Sequence, residues 1–146
     1  LDSDQIQRYS RQLLLQGGFG VEGQLKLAKS SVLVVGAGGI GSTVILYLAA
    51  CGVGEMSIVD FDCVDVSNLH RQVIHQNDDV GVNKAESACR AIRNLNPLVQ
   101  CRAITSPLTY ENAHDLVSRH TCVVDASDNP QTRYLVNDAC VLANRP

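Results

Sequence analysis

Two periodicities alternate along the chain, one that suits strands and one that suits helices. In "SVLVVGAG" the run Ser31–Val35 is apolar without interruption after its first residue, as expected of a strand buried on both faces. Ile40–Cys51 then reads as a helix, Met56–Asp60 as a second strand and, after a long polar loop, Val82–Leu95 as a helix closed by Asn96-Pro97. Gln100–Thr105 reads as a third strand, Tyr110–Arg119 as a helix, Cys122–Ala126 as a fourth strand and Thr132–Ala143 as a last helix. Upstream, residues 5–15 and 20–29 carry apolar positions at helical spacing, with Gly17-Gly18 as the break. Strands that alternate with helices predict an α/β fold: a Rossmann-like parallel sheet covered on both faces, preceded by two N-terminal helices. We divide it into a helical segment, 1–30, and an α/β unit, 31–146. In such sheets ligands sit beyond the carboxyl ends of the strands, so the loops after strands one, two and four are the ones to inspect.

Composition narrows the choice without deciding it. The 146 residues suffice for one domain with a core. Fifteen acidic against twelve basic residues leave a net charge of −3, which gives no support to direct nucleic-acid binding. The longest apolar runs are strand-length, so no membrane span is expected. The start, "LDSDQIQRYSRQ", carries both charge signs and does not read as a secretory leader. There is no initiator Met, and the chain stops directly after a helical pattern, so it reads as truncated on the C-terminal side. Six cysteines (Cys51, Cys63, Cys89, Cys101, Cys122 and Cys140) include no C-x-x-C pair, so no metal site is expected here. Most fall in strand or helix patterns, where a thiol acts as a small hydrophobe, and a reduced cytoplasmic protein is the expectation.

The three loops hold the candidate chemistry. After strand one, "GAGGIG" sets Gly36, Gly38 and Gly41 in G-x-G-x-x-G spacing, which lets phosphate oxygens approach backbone N–H groups at a helix start. After strand two, Asp60 is placed to hold a ribose, yet a polar loop with Asn68, His70, Arg71 and Gln72 follows it. A ribose needs no arginine, whereas a polyphosphate does: the planar fork of Arg71 suits phosphate, and Lys84 adds a mobile charge. His70 reads as lining the loop rather than moving protons. After strand four, "VVDASDNPQTR" puts Asp125, Asp128 and Asn129 at the same edge; Asp128 and Asn129 are also good helix caps before Pro130. There is no Gly-Lys-Ser/Thr ending, so this is not a Walker loop, and no nucleophile–base pair is evident. Adenylation of a carboxylate needs neither. The carboxylate is already ionised at neutral pH and lacks only orientation at the α-phosphorus and cations to offset repulsion.

Five ordered stretches, "RYSRQLLL", "VLVVGAGGIGS", "VDFDCVDVSNLHRQ", "GVNKAES" and "DASDNPQTRYLVNDAC", together resemble the MoeB/ThiF adenylyltransferases, relatives of the ubiquitin-activating enzymes. The last, with "CVLANRP", is most similar to the eukaryotic branch that couples adenylation to sulfur transfer. The resemblance implies ATP-dependent adenylation of the C-terminal glycine of a ubiquitin-like sulfur carrier, as the first step of sulfur transfer for molybdopterin or tRNA thiolation. It implies that ATP is held by Gly39 of the glycine loop, by Asp60, by Ser67, Asn68, Leu69, His70 and Arg71, by Lys84, and by Asp128 and Asn129. Asp128 would lie near Mg²⁺. Arg11 would reach the ATP of the partner subunit across a homodimer, from the 1–30 segment. The family's structural zinc, its sulfur-accepting cysteine and, in that branch, a rhodanese domain would lie beyond Pro146. Two rivals stand beside this reading. An NAD-dependent oxidoreductase would share the glycine loop and Asp60 but leave Arg71, Lys84 and Asp128 unexplained. A non-catalytic subunit of a heterodimeric activator would have no use for a complete ATP site.

Overall fold

The structure, a computed structural model, describes residues 1–146. Helices α1 (Ser3–Leu13) and α2 (Gly20–Ala28) precede β1 (Ser31–Val35), α3 (Gly39–Cys51) and β2 (Glu55–Val59). The chain continues through α4 (Lys84–Leu95), β3 (Gln100–Ile104), α5 (Ala113–Ser118), β4 (Cys122–Asp125) and α6 (Pro130–Ala143). All pairings are parallel and the strand order is β3-β2-β1-β4. The predicted α/β fold is therefore the one observed.

The uninterrupted apolar run of β1 is what buries the sheet on both faces. Val32 and Val34 point into one core with Ile45 and Ala49 of α3 and Ala85, Ala88 and Ile92 of α4. Leu33 and Val35 point into the other, with Val117 of α5 and Leu135, Val136 and Ala139 of α6. Because β2 and β4 flank β1 on opposite sides, the connections leaving β1 and β4 diverge and open a crevice at their carboxyl ends. The ladder runs to that edge: Gly36 N–H donates to the Val59 carbonyl (2.8 Å) and Ala126 N–H to the Val35 carbonyl (2.9 Å).

Element boundaries shift from expectation where a side chain caps the backbone. The fourth helix begins at Lys84, not Val82, because the Asn83 Oδ1 accepts from the N–H groups of Ala85 and Glu86. The fifth begins at Ala113, since Asn112 Oδ1 accepts from Thr109 N–H and holds the preceding residues in a turn. Asp2 caps α1 in a capping box with Gln5, which moves that helix to an earlier start.

The cysteines correct the sequence reading. Cys89 on α4 faces Cys101 on β3, and the two are joined as a disulfide, with Cα atoms 5.6 Å apart. They are neighbours because α4 packs directly on β3, a contact that spacing in the chain does not disclose. Of the six, Cys89 alone is fully buried, while Cys51 and Cys63 are exposed. No group of three or more His, Cys, Asp or Glu side chains is arranged to hold a metal. No helix is long and apolar enough to cross a membrane.

Candidate functional site

A cavity of about 460 Å³ lies at the crevice between the β1 and β4 loops. The glycine loop supplies Gly36, Gly38 and Gly39, the β2 loop Asp60, Phe61, Asp62, Arg71 and Gln72, and α4 contributes Lys84. Pro107 and Leu108 enter from the loop after β3, while Ser127, Asp128, Asn129 and Arg133 enter from the loop after β4 and the first turn of α6.

The glycines divide into two kinds. Gly36 has φ +99°, and a Cβ there would come within 2.8 Å of the Ala126 carbonyl oxygen, so the β1 and β4 loops meet only because this residue is bare. At Gly41 a Cβ would stand 2.0 Å from the Gly36 carbonyl oxygen, so α3 can start so close to the loop only without one. Gly41 is buried and lines no part of the cavity. Gly38 and Gly39 have room for a Cβ and face the cavity at the N-terminus of α3, where unpaired N–H groups favour an anion.

Asp60 sits just past β2 and is already engaged. Its Oδ2 accepts from Ala37 N–H (2.8 Å) and its Oδ1 from Asp62 N–H (2.9 Å), which binds the glycine loop to the β2 loop. A carboxylate retains further lone pairs for a hydroxyl. Arg71 lies on the cavity wall and is steered from outside it. Its Nη2 donates to Asn68 Oδ1 (2.9 Å) and its Nη1 to His70 Nε2 (3.1 Å), so that His70 nitrogen is an acceptor. Asn68 and His70 thus orient the guanidinium and do not line the cavity, and neither do Ser67 and Leu69. The short 3-10 turn Val66–Asn68 is capped by Asp65, whose carboxyl is held below its usual range by the hydroxyl and the N–H of Ser67.

Lys84 is the first residue of α4 and only 6% exposed. A cation at a helix N-terminus is disfavoured by the helix dipole, and Asp62 offsets this at 3.1 Å from the Lys84 Nζ. Asn83 holds the pair in place by donating from Nδ2 to the carbonyls of Asp60 (2.9 Å) and Asp62 (3.1 Å). On the β4 side, Asn129 Oδ1 caps α6 by accepting from Gln131 N–H, while Asp128 is exposed at the rim and caps nothing. Asp125 turns away to accept from the N–H and hydroxyl of Ser127.

Arg11 is exposed on α1 and lines no part of the cavity. Its helix is docked by its neighbours. Tyr9 Oη accepts from Asn96 Nδ2 (2.9 Å), which also donates to the Ala49 carbonyl (2.7 Å), and Arg8 donates to the Leu95 carbonyl (3.0 Å). Arg8 and Arg11 therefore differ in kind, one anchoring the helix and the other projecting from it.

The lining also includes Phe61, Asp62, Leu108 and Arg133, none of which the sequence singles out, and Gln72, which the sequence places only in the polar loop. Arg133 had a usable signal: it follows Asn129 by four residues, one turn along the same helix face, and its guanidinium donates to the Ser127 carbonyl. Gln72 had none. It is buried, and its Oε1 has no partner within the chain.

Comparison with known proteins gives concordant results. The model of the ThiF family matches residues 9–146. The adenylyltransferase and sulfurtransferase MOCS3 of Sus scrofa is 54% identical over all of this chain and 32% of its own length. Its counterpart in Arabidopsis thaliana is 50% identical over all of this chain and 31% of its own length. The chain therefore spans about a third of the length of these curated relatives. Among solved structures, the E. coli tRNA N6-threonylcarbamoyladenosine dehydratase TcdA in complex with ATP superposes with a TM-score of 0.92 at 29% identity, over 99% of this chain and 59% of that one. E. coli MccB with AMPCPP and MccA gives 0.84 at 35% identity, over 95% and 43%.

Proposed function

This chain belongs to the ThiF family, and on that premise we propose that the protein adenylates the C-terminal glycine of a ubiquitin-like sulfur carrier. The observation that carries the reading is the convergence on one cavity of Gly38 and Gly39, Arg71 and Lys84, and the exposed carboxylate of Asp128. The strand order also arranges polarity. Phe61, Pro107 and Leu108 offer an apolar surface on the β2–β3 side for a base, and the N-terminus of α3 lies towards β4 for phosphates. Asp60 remains free to accept from a ribose hydroxyl.

In this reading the carrier carboxylate attacks the α-phosphorus of ATP. A bond forms between a carboxylate oxygen and that phosphorus, the bond to the bridging oxygen of the β-phosphate breaks, and pyrophosphate leaves with the electron pair. No protein nucleophile or base is required. Arg71 and Lys84 offset the charge that grows on the leaving group. Asp128 would hold Mg²⁺ through the triphosphate, which supplies further charge neutralisation when bound; its exposed carboxylate at the cavity rim suits that use. Asn129 keeps the Asp128 loop in place by capping α6. Sulfur transfer for molybdopterin or tRNA thiolation would follow from the activated carrier, in a cytoplasmic homodimer whose 1–30 segment delivers Arg11 to the partner subunit's site.

Pyrophosphate exchange into ATP should appear only when a carrier ending in Gly-Gly is added, in full-length protein with Mg²⁺. Exchange driven by free amino acids, or stabilisation by NAD in place of ATP, would overturn the reading. The role of Arg11 is checked separately. Arg11→Ala and Asp128→Ala should each be inactive alone, and mixed subunits should recover part of the activity. A mixture that stays inactive after verified subunit exchange would remove the trans arginine and leave the adenylation reading intact.

A further inference from the structure

Ala37, between Gly36 and Gly38, is fully buried, and its peptide groups are gripped from both sides. Its N–H donates to Asp60, as described above. Its carbonyl lies 2.9 Å from Nε2 of His75, whose Nδ1 lies 2.8 Å from Oγ of Ser87. His75 and Ser87 are 5% and 1% exposed, so water does not compete for these bonds. A carbonyl can only accept, which places the ring hydrogen on Nε2. In the neutral ring Nδ1 then accepts, and the Ser87 hydroxyl donates to it. One tautomer satisfies all three groups.

Ala37 packs in one apolar cluster with Ala85 and Ala88 of α4, but His75 alone links the glycine loop to that helix through side-chain hydrogen bonds. Ala37 belongs to the glycine loop, and Ser87 lies one turn after Lys84 on α4. His75 N–H also donates to the Gln72 carbonyl (3.1 Å), which closes the turn that follows Arg71. His75 is outside the cavity lining and touches no ligand space.

We propose that His75 is a positioning residue for the nucleotide: as the Nε2–H tautomer it fixes the glycine loop relative to the helix that bears Lys84, and so sets the spacing between the loop's free N–H groups and the lysine. The effect on nucleotide binding rests on the adenylation reading above, whereas the tether itself does not. The charged and titratable groups facing His75 are Asp79 from the turn Asn77–Asp79, Lys84 from α4 and Asp60 from the β2 loop. Burial holds the imidazole below its ordinary value against the opposing pull of the Ala37 carbonyl and the two carboxylates, with Lys84 acting alongside burial. Burial thus favours the neutral ring, the form in which Nδ1 accepts from Ser87.

The test uses full-length protein carrying His75→Ala, His75→Asn or His75→Gln. It reads amide exchange at residues 36–41 without nucleotide, and KM for ATP and kcat in carrier-dependent pyrophosphate exchange, all well below each variant's Tm. Glutamine can return an N–H donor to the Ala37 carbonyl, whereas the shorter asparagine reaches only towards Ser87. His75→Ala and His75→Asn should speed glycine-loop exchange and raise KM by about tenfold, with kcat within about threefold, the scale for one buried hydrogen bond. His75→Gln should restore most of both. Three variants with wild-type loop exchange, or three equally impaired, would reduce His75 to a packing residue and overturn the proposal. If the exchange pattern is as expected and wild type binds no ATP, the tether stands and the adenylation reading falls. Should no His75 variant fold, Ser87→Ala decides: faster exchange in the loop and the first turn of α4 supports the bridge, and unchanged exchange in both overturns it.

Discussion

The two walls of the cavity are built on opposite principles. On the β1–β2 side nearly every group is fixed by a partner: Ala37 by Asp60 and His75, Lys84 by Asp62, Arg71 by Asn68 and His70. Several of these groups are buried, so their geometry is set before any ligand arrives. The β4 wall is exposed and lightly tied. Asn129 caps α6, Arg133 leans on one carbonyl, and the Asp128 carboxylate projects at the rim. A phosphate chain gains most from donors that need no reorganisation, since reorganisation costs part of the stabilisation they provide. A hydrated cation needs the reverse, a carboxylate able to adjust to it. The difference between the walls matches the difference between those two tasks.

The largest expected effect breaks the fixed wall itself. Gly41→Ala places a methyl 2.0 Å from the Gly36 carbonyl oxygen, and neither backbone segment can yield without losing β1 or α3 contacts. Stability should fall by about 3 kcal/mol or more, read as a shifted denaturant midpoint. A shift under about 0.5 kcal/mol would mean that α3 starts further from the loop than the structure has it.

Replacing the charged groups sharpens the comparison. Arg71→Ala and Asp128→Ala should each slow adenylation by about 100-fold or more, the scale for losing one electrostatic stabiliser. Only their other consequences should differ. Asp128 is exposed, so Asp128→Ala should leave stability within about 0.5 kcal/mol of wild type, and added Mg²⁺ should not restore the rate. Arg71→Ala should also release Asn68 and His70, which hydrogen exchange in residues 66–72 would report. Loss of order around Asp128 with none around Arg71 would invert the assignment of fixed and adaptable walls.

How much of this was legible beforehand follows the same division. Local pattern disclosed the strands, the glycine loop and the order of the site-bearing loops, because apolar period and glycine spacing act over a few residues. It placed Asp60, Arg71, Lys84, Asp128 and Asn129 at one edge, and the cavity lining includes all five. It did not disclose that Asp60 is bound to Ala37, 23 residues away, or that Asn68 and His70 serve Arg71 from outside the cavity. Those facts depend on where β2 ends relative to β1 and on the turn capped by Asp65. Cys89 and Cys101 are 12 positions apart and look like separate thiols in the sequence, since their meeting depends on how α4 rotates against β3. His75 passed unnoticed for the same reason: a histidine in a polar loop gives no sign that both its nitrogens are buried.

The smallest expected effect is a pH dependence confined to the fixed wall. Burial lowers the His75 value from its ordinary 6.5, so the unfolded chain takes up a proton at a higher pH than the folded one. About a pH unit or more above 6.5 neither state is appreciably protonated at this ring and its contribution to stability is fully present. As pH falls through 6.5 the unfolded state binds more protons, so stability declines, and the decline ends once pH passes below the folded value. Asp65 is lowered as well, from 3.8, but it acts in a more acidic window and should not overlap. The denaturant midpoint of wild type should therefore fall between pH 7.5 and 5.5, and His75→Gln, which cannot titrate, should fall less over that interval. Equal slopes for the two proteins would show that the imidazole is not held neutral by burial. The bond from Nε2 to the Ala37 carbonyl would then have to survive protonation, with the Ser87 hydroxyl turned to accept from Nδ1. That outcome would leave the glycine loop tied at low pH and shift the acid sensitivity of the site to groups outside the fixed wall.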